Sequence, residues 1–370
     1  MFSEHYKESE ILSQWESIHT ISSEQVERCL KKSKWGMQDL PVLISESAQK
    51  HLEAMAQIAQ HISIQRFGKS MRLFVPLYLS NECYNRCTYC GFSMDLDIQR
   101  KTLTVEESIK EAMTLKERGF KHLLLLTGEA PDHCPIEYFE EITQKLRPHF
   151  ASIGFEIQPL KTHEYERLVA AGADSIAVYQ ESYHGDTYKK VHLSGKKRMF
   201  DHRLDALDRA AEAGFIRLHV GALLGLYDWR FEALAVGQHI AYLDKKYWQS
   251  KLSVSVPRIK NMAGEFQVNY PVSDASFLQY ILAMRMVFPD LGISLSTRES
   301  PALRDALIPL GITDMSADSK TNPGGYTQCD SASQFDTSDG RSLQQIQQLL
   351  LDKGYDPATK DWDPSFHMAM

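Results

Sequence analysis

No apolar run in these 370 residues is long enough to cross a membrane. The most apolar stretch, His122 to Leu126, falls far short of the roughly 20 residues a spanning helix needs. The stretch from Met1 to Trp15 is charged and mixed, without the apolar centre of a secretory leader. Together these absences predict a cytoplasmic protein. Excess positive charge is missing too: 41 Lys and Arg face 48 Asp and Glu, a formal net charge of -7. So acidic a chain offers no broad basic surface and is not expected to bind nucleic acid. Six cysteines are too few for a disulfide framework. Low-complexity tracts and short repeats are absent, and 43% hydrophobic with 24% charged residues is ordinary globular composition.

The first 70 residues read as helical and polar. Ser22-Ser23-Glu24-Gln25 is a helix start, and Ser47 to Ile64 has apolar residues at helical spacing. We expect a helical amino-terminal extension over 1–70 that packs on the main body. From Met71 the pattern alternates. Strand-like runs begin near Leu73, His122, Ile153, Ser175, Leu218, Leu252, Ile293 and Ile312. Helix-like segments follow at Val105–Arg118, Ile136–Leu146, Glu164–Ala171, His202–Ala213, Trp229–Tyr247, Ala275–Phe288, Pro301–Leu310 and Leu343–Lys353. Eight alternations in the α/β class predict a (β/α)8 TIM-type barrel over 71–320, with an open doubly wound sheet as the alternative. Beyond it lie a polar stretch, Asp318 to Arg341, with the turn signal Asn322-Pro323-Gly324-Gly325, and a mixed tail from Tyr355. We expect 321–370 to form a carboxy-terminal extension packed on the barrel.

Polar residues stand where the strand-like runs end: Thr127-Gly128-Glu129, Glu156 and Gln158, Tyr179-Gln180-Glu181, Arg258, and Ser296-Thr297-Arg298. The carboxyl ends of barrel strands build the active site, so these residues are expected to converge. The plainer alternative is that loops begin there. Ser296 and Arg298 are two apart, so their side chains point the same way, and an arginine fork suits a carboxylate. An Arg298–Glu299 surface pair is the competing reading, as a solvated loop charge is for Glu129.

Three of the six cysteines fall within eight residues, in Cys83-Tyr84-Asn85-Arg86-Cys87-Thr88-Tyr89-Cys90, directly after the first strand. Three thiolates can hold three irons of a [4Fe–4S] cluster and leave one iron open. A structural zinc site wants a second ligand pair, and none is near. A redox pair Cys87–Cys90 leaves Cys83 unexplained. A non-catalytic electron-transfer protein would want a fourth nearby cysteine. Cys29, Cys134 and Cys329 are isolated and read as small apolar fillers or exposed thiols.

The C-x3-C-x-aromatic-C spacing resembles the motif of the radical S-adenosylmethionine (SAM) superfamily, with Tyr89 as the aromatic. The likeness runs on through Val75-Pro76-Leu77-Tyr78, Arg100-Lys101-Thr102-Leu103, Gln158-Pro159-Leu160, Tyr179-Gln180-Glu181-Ser182-Tyr183-His184, Leu295-Ser296-Thr297-Arg298-Glu299-Ser300 and Ser319-Lys320-Thr321-Asn322-Pro323-Gly324-Gly325-Tyr326. From about Gln65 to Trp362 the chain resembles the aromatic amino acid lyases of that superfamily, in particular their thiamine-pathway tyrosine branch. The resemblance implies one [4Fe–4S] cluster on Cys83, Cys87 and Cys90, its open iron chelated by SAM. It implies cleavage of SAM to methionine and a 5′-deoxyadenosyl radical. That radical takes a hydrogen atom from the amine of L-tyrosine, whose Cα–Cβ bond breaks to give p-cresol and 2-iminoacetate. Thr127, Gly128 and Glu129 would receive the methionine ammonium. Glu156, Gln158 and Glu181 would face the ribose and sulfonium of SAM, and Arg258 its carboxylate. Arg298 and Ser296 would hold the carboxylate and amine of tyrosine. A flavodoxin or ferredoxin as electron donor and thiazole synthase as consumer of the imine are the implied partners. A tryptophan-cleaving sibling, or another radical SAM carbon–carbon lyase of the same fold, is the alternative. The hydrogenase-maturation sibling carries a second cluster near its carboxyl terminus; here Cys329 is the lone cysteine beyond residue 300.

Overall fold

The computed structural model describes residues 1–259, 266–327 and 331–358. Eight parallel strands form its centre: β1 (Ser70–Ser80), β2 (His122–Thr127), β3 (Ser152–Glu156), β4 (Ser175–Ala177), β5 (Arg217–Gly221), β6 (Lys251–Ser255), β7 (Gly292–Leu295) and β8 (Asp314–Ser316). Each pairs with the next, and β8 returns to β1 through Arg72–Asp314, Leu73–Met315 and Phe74–Ser316. The sheet is therefore closed, as the alternation predicts, and the open doubly wound alternative is excluded. Each strand is followed by a helix: α1 (Val105–Glu117), α2 (Ile136–Leu146), α3 (Thr162–Ala171), α4 (Ala206–Glu212), α5 (Trp229–Lys246), α6 (Asp274–Val287), α7 (Pro301–Leu307) and α8 (Leu343–Asp352).

Local chemistry explains the pattern. β2 reads His-Leu-Leu-Leu-Leu-Thr, the near-continuous apolar run of a strand covered on both faces. Thr104 caps α1 and Glu107 reaches back to the Thr104 N–H at 2.8 Å. Ser273, Ser300 and Ser342 cap α6, α7 and α8. The segment His202–Ala213 is not one helix. It breaks at Asp205, whose carboxylate takes the Ser3 N–H and hydroxyl at 2.8 and 2.7 Å.

The amino-terminal helices wrap the barrel and share its core. Helix Ser23–Leu30 begins at the Ser22/Gln25 capping box, and helix Leu52–Phe67 lies against α6. Phe2, Ile11, Val26 and Met55 belong to the same buried cluster as the strands, and Phe2 stacks on His239 of α5 with centroids 4.1 Å apart. A short strand, Asp356–Ala358, extends the sheet beside the start of β1. Cys29 and Cys134 are buried. Cys329 and the tail 359–370 lie outside the described residues. Among the described residues no helix is long and apolar enough to cross a membrane.

Candidate active site at the barrel mouth

The loop from β1 to α1 carries the three cysteines, and polar contacts fix its path. The buried Asn81 amide donates to the Gln99 carbonyl at 2.9 Å, and its oxygen accepts from Lys101 N–H at 2.6 Å. Arg100 donates to four carbonyls, those of Asn81, Phe92, Ser93 and Leu96, at 2.6 to 3.3 Å. On the other flank Arg86–Cys87 forms an antiparallel ladder with His192–Ser194, a segment between β4 and α4. Gly128 closes the contact from the end of β2: a Cβ there would meet the Glu82 carbonyl oxygen at 2.2 Å. Only glycine lets the two backbones approach so closely.

Cys87 is buried, Cys83 and Cys90 partly so. Burial above all pushes the Cys83 and Cys87 thiols up; the charges of Glu129 and Cys90 add to this at Cys83, and those of Cys90, Cys83 and Glu129 at Cys87, where Lys197 opposes it. Such thiols shed their protons only to a strong positive centre. The Phe92 N–H and the Gln334 amide donate to Cys90 Sγ at 3.4 and 3.7 Å. Among the described residues no three metal-binding side chains converge on one point, as ligands of one zinc ion would. Three thiolates can each hold one iron of a [4Fe–4S] cluster and leave the fourth iron open.

A cavity of about 140 Å³ adjoins the loop. Tyr89 and Cys90, Glu156 from the end of β3, Glu181 after β4, and Ser296 and Arg298 after β7 all line it. Its roof is Gln334 and Phe335, from the segment after β8. Tyr78 donates its hydroxyl to Gln334 Oε1 at 2.8 Å. The Arg298 guanidinium lies over the Phe335 ring, 3.4 Å from its centroid, and its Nη1 is buried with no hydrogen-bond partner among the described residues. Burial holds this guanidinium below the usual arginine range, with Tyr78, Glu156 and Glu181 opposing. Ser296 Oγ accepts the Arg298 N–H at 3.3 Å. Burial first, then the charge of Glu181, push Glu156 up to about 7.

A ring of ion pairs flanks the cysteines. Glu129 takes Arg203 at 2.7 Å and the Asn85 amide at 2.8 Å. Burial raises the Glu129 carboxyl, yet Arg203, Lys197 and Asn85 outweigh it and hold the group below the ordinary range. Lys197 pairs with Glu181 at 2.7 Å. Glu181 adopts φ 69°, a left-handed backbone rare outside glycine and enriched at functional sites. Tyr89 donates its hydroxyl to Nε2 of His192 at 2.8 Å while Nδ1 faces the Tyr188 carbonyl at 2.9 Å. Burial, with Lys197 and Arg203 nearby, holds His192 neutral down to about 2.

Residues 77–235 match the Radical SAM superfamily, and residues 255–356 match the Biotin and Thiamin Synthesis associated domain. The two matches divide a single closed barrel near β6. The 2-iminoacetate synthase of Escherichia coli is 42% identical over 348 residues, 94% of this chain and 92% of that one. The chain belongs to the 2-iminoacetate synthase family. Among solved structures, HydG, a maturase of the [FeFe]-hydrogenase, is 32% identical with a TM-score of 0.90 over 97% of this chain and 81% of that one. Methylornithine synthase, 21% identical with a TM-score of 0.73 over 93% and 99%, shares the fold.

Five of the cofactor-binding residues expected from the 2-iminoacetate synthase resemblance, Thr127, Gly128, Glu129, Gln158 and Arg258, stand apart from the cavity wall. Arg258 is buried among its own partners: two hydrogen bonds to Glu299, an ion pair with Asp274 at 2.8 Å and the Val272 carbonyl at 2.8 Å. With its fork taken, it is not placed to receive the SAM carboxylate, and the Arg298–Glu299 surface pair does not form either. Gln158 turns to the Cys134 carbonyl at 3.4 Å. Thr127, Gly128 and Glu129 sit against the cysteine loop, with Thr127 Oγ1 buried and unpartnered among the described residues. Sequence reasoning missed Asn85, His192, Lys197, Arg203, Gln334 and Phe335. A usable signal was the long β4–α4 connection with its run Lys196-Lys197-Arg198.

Proposed function

We propose that this chain is a radical SAM carbon–carbon lyase that cleaves the Cα–Cβ bond of L-tyrosine to 2-iminoacetate and p-cresol for thiamine thiazole synthesis. One observation carries the reading: a single cavity joins Cys90 of the three-cysteine loop to Arg298, a buried cation whose Nη1 has no hydrogen-bond partner among the described residues. Bound by Cys83, Cys87 and Cys90, a [4Fe–4S] cluster with SAM on its open iron supplies one-electron cleavage of SAM to methionine and an adenosyl radical.

The chain's own residues then position and shield. The Arg298 fork takes the tyrosine carboxylate, and Ser296 holds the amine beside it. Thr127, Gly128 and Glu129 lie beside the cysteines and receive the methionine ammonium. Glu156 and Glu181 face the cavity and take the ribose hydroxyls, while Tyr89, fixed by His192, fills the space beside the cysteines. Gln334 and Phe335 exclude water, since a radical reacts with whatever lies closest. In the cytoplasm a low-potential carrier supplies the electron, and thiazole synthase consumes the imine.

The test is anaerobic. Protein reconstituted with iron and sulfide receives dithionite, SAM and tyrosine, and chromatography follows 5′-deoxyadenosine and p-cresol. Both products, lost together in Cys87→Ala, establish the reading. Deoxyadenosine without p-cresol moves the substrate to tryptophan. Neither product from protein with an intact cluster overturns it.

A further inference from the structure

The face beside the cysteine loop combines two features rarely found together on an acidic chain. Met94, Leu193 and Met199 are exposed by 57%, 43% and 56%. They are neighbours in the fold. Met94 N–H donates to the Asn85 carbonyl at 2.9 Å, and Asn85 Oδ1 accepts the Lys197 N–H at 3.0 Å. Leu193 lies between the two residues, His192 and Ser194, that ladder with Cys87 and Arg86. Around these apolar side chains the segment 186–203 exposes four lysines and arginines, Lys189, Lys190, Lys196 and Arg198, against Asp186 and Asp201, while the whole chain is at -7. Lys190, Lys196 and Arg198 are exposed and have no ion-pair partner among the described residues. Lys189 meets the exposed Asp186 at 3.8 Å, and Arg86 meets Asp95 at 2.7 Å.

We propose that this face, with Leu193 and Met199 at its centre and Lys189, Lys190, Lys196 and Arg198 around it, is the docking surface for a small acidic one-electron carrier protein. The proposal rests on the cluster reading above. One electron leaves the reduced carrier and enters the cluster, with no bond made or broken; the carrier is oxidised by one electron and the cluster reduced by one. Tunnelling falls steeply with distance, and Cys87 is the ladder partner of His192, next in sequence to exposed Leu193. A local cationic rim on an acidic protein steers an acidic partner to this face and turns the rest away. A few apolar side chains ringed by charge match the small, transient interfaces of redox encounters. The other occupant of the same face would be the enzyme that takes the product.

Two variants test this: the charge reversal Lys189→Glu/Lys190→Glu/Lys196→Glu/Arg198→Glu, and Leu193→Ser/Met199→Ser. Binding of flavodoxin, and separately of ferredoxin, to the reconstituted protein is measured by calorimetry at low and at physiological salt. Cluster reduction is followed by absorbance with each reduced carrier and, in parallel, with dithionite. We expect the charge reversal to raise Kd at least tenfold and to slow carrier-driven reduction by a similar factor. Salt should weaken wild-type binding, and reduction by dithionite should match wild type. Carrier binding and reduction unchanged in both variants overturn the proposal, as does a wild type that neither carrier binds or reduces. Variants that keep carrier-driven reduction but lose product transfer to thiazole synthase also overturn it, assigning the face to that enzyme. Because Kd and reduction are read without tyrosine, failure of the tyrosine reading alone leaves these results intact.

Discussion

Arg298 is the residue whose surroundings most demand a ligand. The Arg298 guanidinium is removed from water with its Nη1 unpartnered among the described residues, and the nearby charges of Glu156 and Glu181 and stacking on Phe335 return only part of what is lost. Arg298→Lys keeps the charge and removes the fork. We expect the half-saturating tyrosine concentration to rise about 10- to 100-fold, roughly 1.4–2.8 kcal/mol. Deoxyadenosine should also exceed p-cresol, because misplaced substrate uncouples the radical from its target. Unchanged kinetics and stoichiometry would remove Arg298 from the carboxylate site. Residues of this kind were legible because spacing announces them: three cysteines at one loop, Arg298 two after Ser296. Arg203 and Lys197 were not, since their partners Glu129 and Glu181 lie far off in sequence and long-range pairing leaves no local pattern. Arg258 misled for the same reason, its partner Glu299 being 41 residues away.

Elements carry the next level of control. The cysteine loop is irregular over most of its length, so its shape depends on side chains that replace ladder hydrogen bonds. Arg100 serves four carbonyls at once, and charge-assisted bonds of this type contribute about 1.5–3 kcal/mol each. Arg100→Ala should leave the barrel folded, with unchanged far-ultraviolet circular dichroism, while iron and sulfide retained after reconstitution fall by half or more. Full retention would show that the loop holds its shape without it. In α5, buried Glu232 accepts from the Ser182 hydroxyl and the Tyr183 N–H at 2.6 and 2.9 Å. Burial nonetheless pushes its carboxyl up to about 8. A folded-state value above the unfolded one means the folded chain holds the proton more tightly. That stability is complete below the ordinary carboxylate range near 4.3 and is lost as pH rises through about 8. Tm should therefore decline from pH 5 to pH 8, and Glu232→Gln should flatten the decline; an equally steep slope in the variant would assign it elsewhere. Helices and strands themselves were readable, because apolar period and capping serines are local. The break at Asp205 was not, because it answers to Ser3 some two hundred residues earlier.

At the scale of the whole molecule, both flanking regions are built into the barrel. Near the amino terminus, Phe2 stacks on α5. Near the carboxyl terminus, the segment after β8 roofs the cavity: Ser338 and Asp339 N–H groups donate to the Thr297 carbonyl at 2.9 and 3.1 Å, one residue from Arg298. That roof is fastened by Asp339, which pairs with Arg304 of α7 where both side chains are fully buried, and with Arg341 at 2.6 Å. Composition showed this stretch only as polar and turn-rich, because its order comes from contacts with distant strands rather than from a repeating pattern. Asp339→Asn preserves the shape and removes the charge, leaving Arg304 buried without its counter-ion. Breaking one side of a buried pair costs about 3–5 kcal/mol, so Tm should drop sharply. The position of the pair makes a second consequence separable from the first. At a temperature where the variant is still folded, the roof formed by Phe335 and Gln334 should open more often, and the Gln334 amide, with the Phe92 N–H, donates to Cys90. Cluster absorbance should then bleach faster in air than in wild type, and the ratio of p-cresol to deoxyadenosine should fall. A variant that loses Tm but bleaches and couples like wild type would show that the roof stabilises the fold without guarding the site.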